Sequence, residues 1–116
     1  ARVAAAPGGE ALPPETLNAM LLSWARGAAR RHAGREVSRA AVTVPPSFTQ
    51  SQRRALLAAC RIAGLEVLAL VHDGTAAALK YSADRLPFAS LAGPHRVLFF
   101  DMGAAGARAA LVEYTR

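Results

Sequence analysis

The feature that most constrains the fold is a strand–helix–strand pattern in the middle of the chain. Residues 40–44, AAVTV, are apolar on both faces and end at a Pro-Pro pair, which is typical of a buried strand. Thr49 followed by Gln52 predicts a capping box that opens a helix, and Gly64 predicts the end of that helix. The run 65–71, LEVLALV, predicts a second strand. A crossover of this kind joins parallel strands and is right-handed, so we expect a βαβ unit.

Helical and strand patterns on either side extend this unit. Residues 14–32 have helical spacing and stop at Gly34, and one apolar stripe along them predicts a core-facing side. That stripe consists of Leu17, Met20, Leu21, Trp24 and Ala28. Residues 75–83 predict a further short helix. Residues 96–103 predict a third buried strand, and residues 107–114 predict its antiparallel hairpin partner.

The composition is that of a globular protein without a membrane span. Of the 116 residues, 53% are hydrophobic and 19% are charged. No apolar window reaches the roughly 18 residues that a span requires. The chain begins and ends abruptly, so we expect it to be an excerpt from a longer protein. Residues 2–12, with Gly8 and Gly9 in a tight turn, predict a small hairpin.

The net charge of +6 raises the question of a nucleic-acid partner. A dense basic cluster consists of Arg26, Arg30, Arg31, Arg35 and Arg39. No aromatic residues alternate with these arginines as stacking platforms for bases. We therefore interpret the cluster as a solvated helix face and expect no nucleic acid.

Neither Cys60 nor His72 indicates a catalytic or metal centre by its spacing. Cys60 is the only cysteine, which excludes an internal disulfide. We expect a small buried side chain there, because no His or Lys lies nearby in sequence to lower the pKa of its thiol. No second His, Cys or acid stands at ligand spacing from His72, so we expect a surface or packed histidine.

Two carboxylates are candidates for a ligand site. The stretch FFDMGAAGAR, residues 99–108, leads from an apolar run through Asp101 into a turn of Gly and Ala. A carboxylate just past the end of a buried strand can hold Mg²⁺, usually through water, while amides of the following turn face phosphate. From spacing alone, an aspartate that closes a hairpin turn is the favoured alternative. Asp73 lies between a strand and a helix, where it complements the helix dipole or caps free amides without any ligand.

Three stretches together resemble the heat shock protein 70 family of chaperones. They are LPPETLNAMLLSWARGAA, AAVTVPPSFTQSQRRALLAACRIAGLEVLALVHDGTAAALKYSADR and RVLFFDMGAAGARAALVEY, and they cover residues 12–114 nearly in register. FFDMG, and HDGT in place of the Asn-Glu-Pro-Thr of most members, resemble the large endoplasmic-reticulum branch. That branch comprises the 170 kDa glucose-regulated, or hypoxia up-regulated, chaperones.

The resemblance implies a fragment of an actin-like ATPase (ribonuclease H-like) fold. This is an α/β fold with a mixed sheet, βαβ units and flanking helices. Residues 1–92 would be the later part of the first lobe of the nucleotide-binding domain, and residues 93–116 the first hairpin of the second lobe. Asp101 would position Mg²⁺ and water for ATP hydrolysis. Asp73 would replace a glutamate that senses the nucleotide at the cleft.

The resemblance also assigns the turn after Asp101 and a second pair of residues. The second phosphate loop, which would contact ATP or ADP, consists of Gly103, Ala104, Ala105 and Gly106. Pro45 and Arg53 would match the proline switch and its arginine, which report the nucleotide state toward the substrate-binding domain.

The phosphate loop departs from the family pattern, which is Asp-Leu-Gly-Gly-Gly-Thr-Phe-Asp. Two glycines have become alanines, a hydroxyl is lost at Gly106, and the second acid has become Arg108. Loss of one positioned donor can cost about 3 kcal/mol of transition-state stabilisation, or about a hundredfold in rate. We therefore expect slow or absent hydrolysis even where nucleotide binds.

The resemblance implies two alternative functions for a parent protein. The first is an ATP-dependent stress-response chaperone that assists the folding of unfolded clients, with J-domain co-chaperones or a partner chaperone. The second is a catalytically weak pseudo-ATPase that acts as a scaffold or nucleotide exchange factor for a partner chaperone. We expect no ATPase activity from this chain alone, because the resemblance places most of the nucleotide site outside it. The expected compartment is the endoplasmic reticulum lumen, with the cytoplasm as the alternative.

Overall fold

The computed structural model describes residues 12–86, 92–104 and 106–115. The described residues contain three helices and four strands. In chain order these are α1 Pro14–Ala33, β1 Arg39–Val44, α2 Gln50–Ile62, β2 Glu66–His72, α3 Asp73–Arg85, β3 His95–Gly103 and β4 Gly106–Tyr114. The predicted hairpin at residues 2–12 lies outside the described residues, apart from residue 12. The chain divides into two compact units, Ala1–Leu70 and Val71–Arg116.

In the first unit, local signals begin and end the helices where the sequence predicts. Gly34 follows α1 with a φ of 65°, and its amide donates to the carbonyl of Arg30 at 3.0 Å. Thr49 and Gln52 form the predicted capping box at the start of α2, with the Thr49 amide donating to Gln52 Oε1 at 2.8 Å. These bonds define the helix ends because they satisfy backbone groups that have no partner within the helix.

The predicted pairing of β1 and β2 is confirmed. The two strands are hydrogen-bonded neighbours. The amide of Glu66, the first residue of β2, donates to the carbonyl of Ser38, just before β1, at 2.8 Å. The strands therefore start side by side and run parallel, joined through α2. Helix α2 packs against α1. The buried core of this unit consists of Ala19, Val44, Ala59, Cys60, Ala63 and Leu65.

Two expectations about burial in this unit are wrong. Met20, Leu21 and Trp24, from the stripe expected to be core, are each more than 60% exposed. Leu17 and Ala28, the other members of that stripe, are half-buried. Helix α1 instead buries the small side chain of Ala19, since small residues let helices approach closely. Strand β1 was expected to be buried on both faces, but only its last residue, Val44, is buried.

In the second unit, α3 packs against the antiparallel hairpin of β3 and β4. Tyr81 of α3 meets Phe99 of β3 edge to face, with ring centroids 5.6 Å apart. Tyr114 Oη donates to the carbonyl oxygen of Ala78 at 2.8 Å. Aromatic contacts and this hydrogen bond thus hold the helix on one face of the hairpin.

Two further expectations are corrected in this unit. Strand β3 was predicted to be buried, but Leu98, Phe100 and Met102 are exposed. Their side chains lie on the hairpin face opposite Phe99, because side chains alternate along a strand and α3 covers only the Phe99 face. Helix α3 begins at Asp73, rather than at Thr75.

Candidate functional site

The candidate site is built at the closed end of the β3–β4 hairpin. Gly103 pairs with Gly106, so that residues 104 and 105 connect the strands. Gly106 has a φ of 145°, a conformation that favours glycine. Ala104 is exposed, and Ala105 lies outside the described residues. The Gly103–Gly106 pair therefore marks where the predicted phosphate loop leaves β3 and enters β4.

Asp101 lies within β3, directly across from Arg108 of β4. It is neither past the end of its strand nor the residue that closes the turn, because the Gly103–Gly106 pair closes it. Both placements expected from spacing are thus wrong. Directly opposite residues project from the same face of a hairpin, so Asp101 and Arg108 are neighbours on the face that carries Phe99.

Arg108 joins the hairpin to the start of α3. Its Nη1 donates to Oδ2 of Asp73, the first residue of that helix, and both side chains are partly exposed. The second carboxylate oxygen, Oδ1, accepts the amide of Gly74 at 2.8 Å. Asp73 therefore satisfies one free amide of the first helical turn, as predicted, while its other oxygen binds the guanidinium.

The small size of Gly74 permits this approach of helix and strand. A Cβ atom at Gly74 would lie 3.1 Å from the Cβ of Ala110 in β4. That separation is tighter than ordinary contact, so a Cβ at Gly74 would require a shift of a few tenths of an ångström between the start of α3 and Ala110. The glycine next to Asp73 thus lets the start of α3 approach the hairpin closely without strain.

Asp101 and Asp73 could hold a magnesium ion only together with further ligands from outside the described residues. Asp101 is exposed, and no ion pair to it occurs among the described residues. No group of three or more His, Cys, Asp or Glu within those residues could hold a metal ion. Mg²⁺ is commonly bound by one or two carboxylates together with water and substrate phosphates. Asp101 fits that arrangement and would be the residue that holds the ion.

The two residues assigned to a proline switch are connected through Phe48 in the first unit. The carbonyl of Pro45 accepts the amide of Phe48 at 3.1 Å. The carbonyl of Phe48 accepts Nε of Arg53 at 3.2 Å. A single residue thus ties the end of β1 to the first turns of α2. The structure brings Pro45 and Arg53 together as a local pair.

The arginine cluster is partly structural. Arg26 donates through Nε to the carbonyl of Val37 at 3.0 Å and through Nη1 to that of Ala63 at 3.3 Å. Arg26 and Arg30 both form ion pairs with Glu36. The hydrogen bond from Arg30 is the main reason that the pKa of Glu36 lies below its usual 4.5, and desolvation partly opposes it. The expected solvated helix face is thus correct for exposed Arg30 and wrong for Arg26, which is part-buried against backbone carbonyls. Arg35 and Arg39 lie outside the helix.

Arg108 is the residue whose role the sequence did not predict. Arg108 stands where the family pattern has an acid, but no local pattern in the sequence indicates its ion pair with Asp73, 35 residues away. A signal was present, because the chain departs from the family pattern at both positions.

Burial raises the pKa of the Cys60 thiol, consistent with the inert role predicted for it. His72 is exposed, which agrees with the first of the two expectations, a surface or a packed histidine.

No helix among the described residues combines the length and the apolar character needed to cross a membrane.

Comparison with known proteins supplies the family. A family profile described as Hsp70 protein matches residues 1–116. Heat shock 70 kDa protein 17 of Arabidopsis thaliana is 44% identical over 101 residues, covering 87% of this chain and 11% of that protein. Hypoxia up-regulated protein 1 is 40% identical in Danio rerio and 38% in Homo sapiens, in each case over 87% of this chain and 10% of that protein. The chain thus spans about a tenth of these relatives. It belongs to the Hsp70 family, whose nucleotide-binding domain has the actin-like ATPase fold, and its relatives include the hypoxia up-regulated branch that the sequence indicated.

Proposed function

We propose that this chain is part of the ATP-binding domain of an Hsp70-type molecular chaperone with a degenerate phosphate loop. The observation that carries the proposal is the grouping of Asp101, Asp73 and the Gly103–Gly106 turn on the second unit of an Hsp70-family chain. In this role the turn contacts the phosphates of ATP or ADP, with Asp101 beside Mg²⁺. Residues 1–92 belong to the first lobe and residues 93–116 to the second.

The proposal also covers the clients, the partners, the nucleotide-dependent switch and the compartment of the parent protein. Its clients are unfolded proteins, and its partners are J-domain co-chaperones or another chaperone. Pro45 and Arg53 act as the switch that reports the nucleotide state. Both residues are hydrogen-bonded to Phe48, which supports this role, because a movement of either residue would shift Phe48 and so affect the other. The compartment is the endoplasmic reticulum lumen, by analogy with the branch that the sequence resembles.

A second candidate function is that of a weak pseudo-ATPase serving as a scaffold or as a nucleotide exchange factor. The Asp73–Arg108 ion pair favours it, because this pair engages a carboxylate that the family resemblance assigns to nucleotide sensing. The alanines in the turn also add Cβ atoms where the family pattern has glycines.

Single-turnover hydrolysis by the full-length parent protein separates the two functions. ATP carrying a radioactive γ-phosphate would be mixed with excess protein, and phosphate release compared with that of an Asp101→Asn variant. An active chaperone ATPase requires hydrolysis above the level of that variant. Equal rates, together with accelerated ADP release from a partner Hsp70, would establish the exchange-factor function and refute the first proposal. Absence of both nucleotide binding and exchange activity would refute both.

A further inference from the structure

Three charged groups meet where the start of α3 lies against the hairpin, two of them on the hairpin and one on the helix. Arg108 lies between two acids: Asp101 faces it across the strands, and Asp73 binds its Nη1. Together the three side chains carry one net negative charge, whereas an acid in place of Arg108 would leave three negative charges. The arginine therefore supplies the positive charge at this end of the hairpin.

The guanidinium of Arg108 retains donors beyond the one that Asp73 uses. An arginine presents five N–H donors in a planar fork, and Arg108 pairs with Asp73 through Nη1. The side chain is 44% exposed, so an incoming anion can reach it. Arginine is well suited to bind phosphate because two parallel N–H bonds match two phosphate oxygens.

We infer that Arg108 binds nucleotide phosphate and supplies charge that an Mg²⁺ ion would otherwise provide alone. Nucleotide binding by this protein then depends only weakly on Mg²⁺. The inference rests on the proposed function, since it concerns the same phosphate loop. Its physical basis is that a fixed cation one strand away from Asp101 offsets phosphate charge whether or not a metal is present.

The test is the affinity of the full-length protein for ADP with a fluorescent N-methylanthraniloyl label on its ribose, in excess Mg²⁺ and in excess EDTA. We expect the affinity to fall by less than about tenfold when the metal is removed, in keeping with one retained charge-assisted pair. Binding in Mg²⁺ that disappears in EDTA would overturn the inference and leave the proposed function standing. No binding under either condition would overturn the proposed function itself.

Matched variants distinguish phosphate binding from a structural ion pair. Arg108→Gln should weaken binding in EDTA by at least about tenfold, and Arg108→Lys should restore part of it. Arg96→Gln is the control, because Arg96 pairs with Glu113 on the opposite face and at the far end of the same hairpin. It should leave both affinities unchanged.

The variant Asp73→Asn should change the affinity for labelled ADP in opposite directions, depending on whether Arg108 binds phosphate or only forms a structural ion pair. Removal of this acid frees the guanidinium from a competing anion, so binding of labelled ADP in EDTA should tighten. If Arg108 merely clamps α3 onto the hairpin, Asp73→Asn should instead weaken binding as Arg108→Gln does. That result would refute a direct contact of Arg108 with phosphate.

Discussion

Removal of the Arg26 side chain should destabilise the first unit. It extends from α1 and donates to the carbonyl groups of Val37 and Ala63. Those carbonyls belong to the segment before β1 and to the end of α2. Its guanidinium also lies against Gly64, where a Cβ atom would come within 2.6 Å of Nη1. One arginine thus connects three parts of the unit, and Arg26→Met removes the connection while keeping an apolar stem.

The magnitude follows from the two backbone hydrogen bonds. A hydrogen bond from a charged donor contributes about 1.5–3 kcal/mol when it is well shielded. The Arg26 side chain is 35% exposed, so water competes and about 1 kcal/mol for each bond is appropriate. Arg26→Met should therefore lower the free energy of unfolding by about 2 kcal/mol. With a urea dependence of about 2 kcal/mol per molar, the midpoint moves by about 1 M.

Urea unfolding followed by far-ultraviolet circular dichroism measures this loss. Arg30→Met is the matched control, since Arg30 lies one helical turn further along α1 and its side chain forms an ion pair with exposed Glu36. That variant should unfold close to the wild-type midpoint, because exposed ion pairs contribute little. Equal midpoints for the two variants would refute the reasoning that the carbonyl contacts of Arg26 stabilise the unit.

Three further predictions concern a carboxylate, a thiol and a turn. The lowered pKa of Glu36 contributes stability that is present above pH 4.5 and is lost as pH falls through the folded-state pKa; Glu36→Gln should flatten this part of a pH–stability curve. Buried Cys60, with its raised pKa, should react with iodoacetamide at least about a hundredfold more slowly in the folded chain than in urea, and equal rates would contradict its burial. Gly106→Ala should lower the free energy of unfolding by about 1–3 kcal/mol because of its φ of 145°, whereas Gly103→Ala should cost less, since a Cβ has open space at both positions but Gly103 has no positive φ.

The elements of this chain could be predicted because their signals are local. The capping box at Thr49 and the left-handed stop at Gly34 each involve residues within about one helical turn, so both can be recognised from neighbouring residues in the sequence. Burial could not be predicted in the same way. The apolar stripe containing Trp24 shows only that a helix has two faces, and which face is covered depends on elements distant in sequence.

In the candidate site, too, a pairing set by local geometry could be predicted from the sequence, whereas a pairing set by tertiary contact could not. Once a two-residue connection between Gly103 and Gly106 is assumed, counting back along both strands places Asp101 opposite Arg108, so this pairing was available from the sequence. The pairing of Arg108 with Asp73 was not available, because it requires the start of α3 to meet the hairpin.

Arg108 takes part in both pairings, and its charge links them. If Arg108 faced Asp101 alone, one positive and one negative group would balance, and Asp73 would remain an uncompensated acid beside the phosphate loop. Its ion pair with Asp73 leaves Asp101 as the carboxylate open to a metal or to water. A change at either partner should therefore alter the charge that a phosphate meets, even though neither residue lies in the turn between Gly103 and Gly106. Substitutions confined to that turn can restore family glycines there, but they leave this charge arrangement as it is.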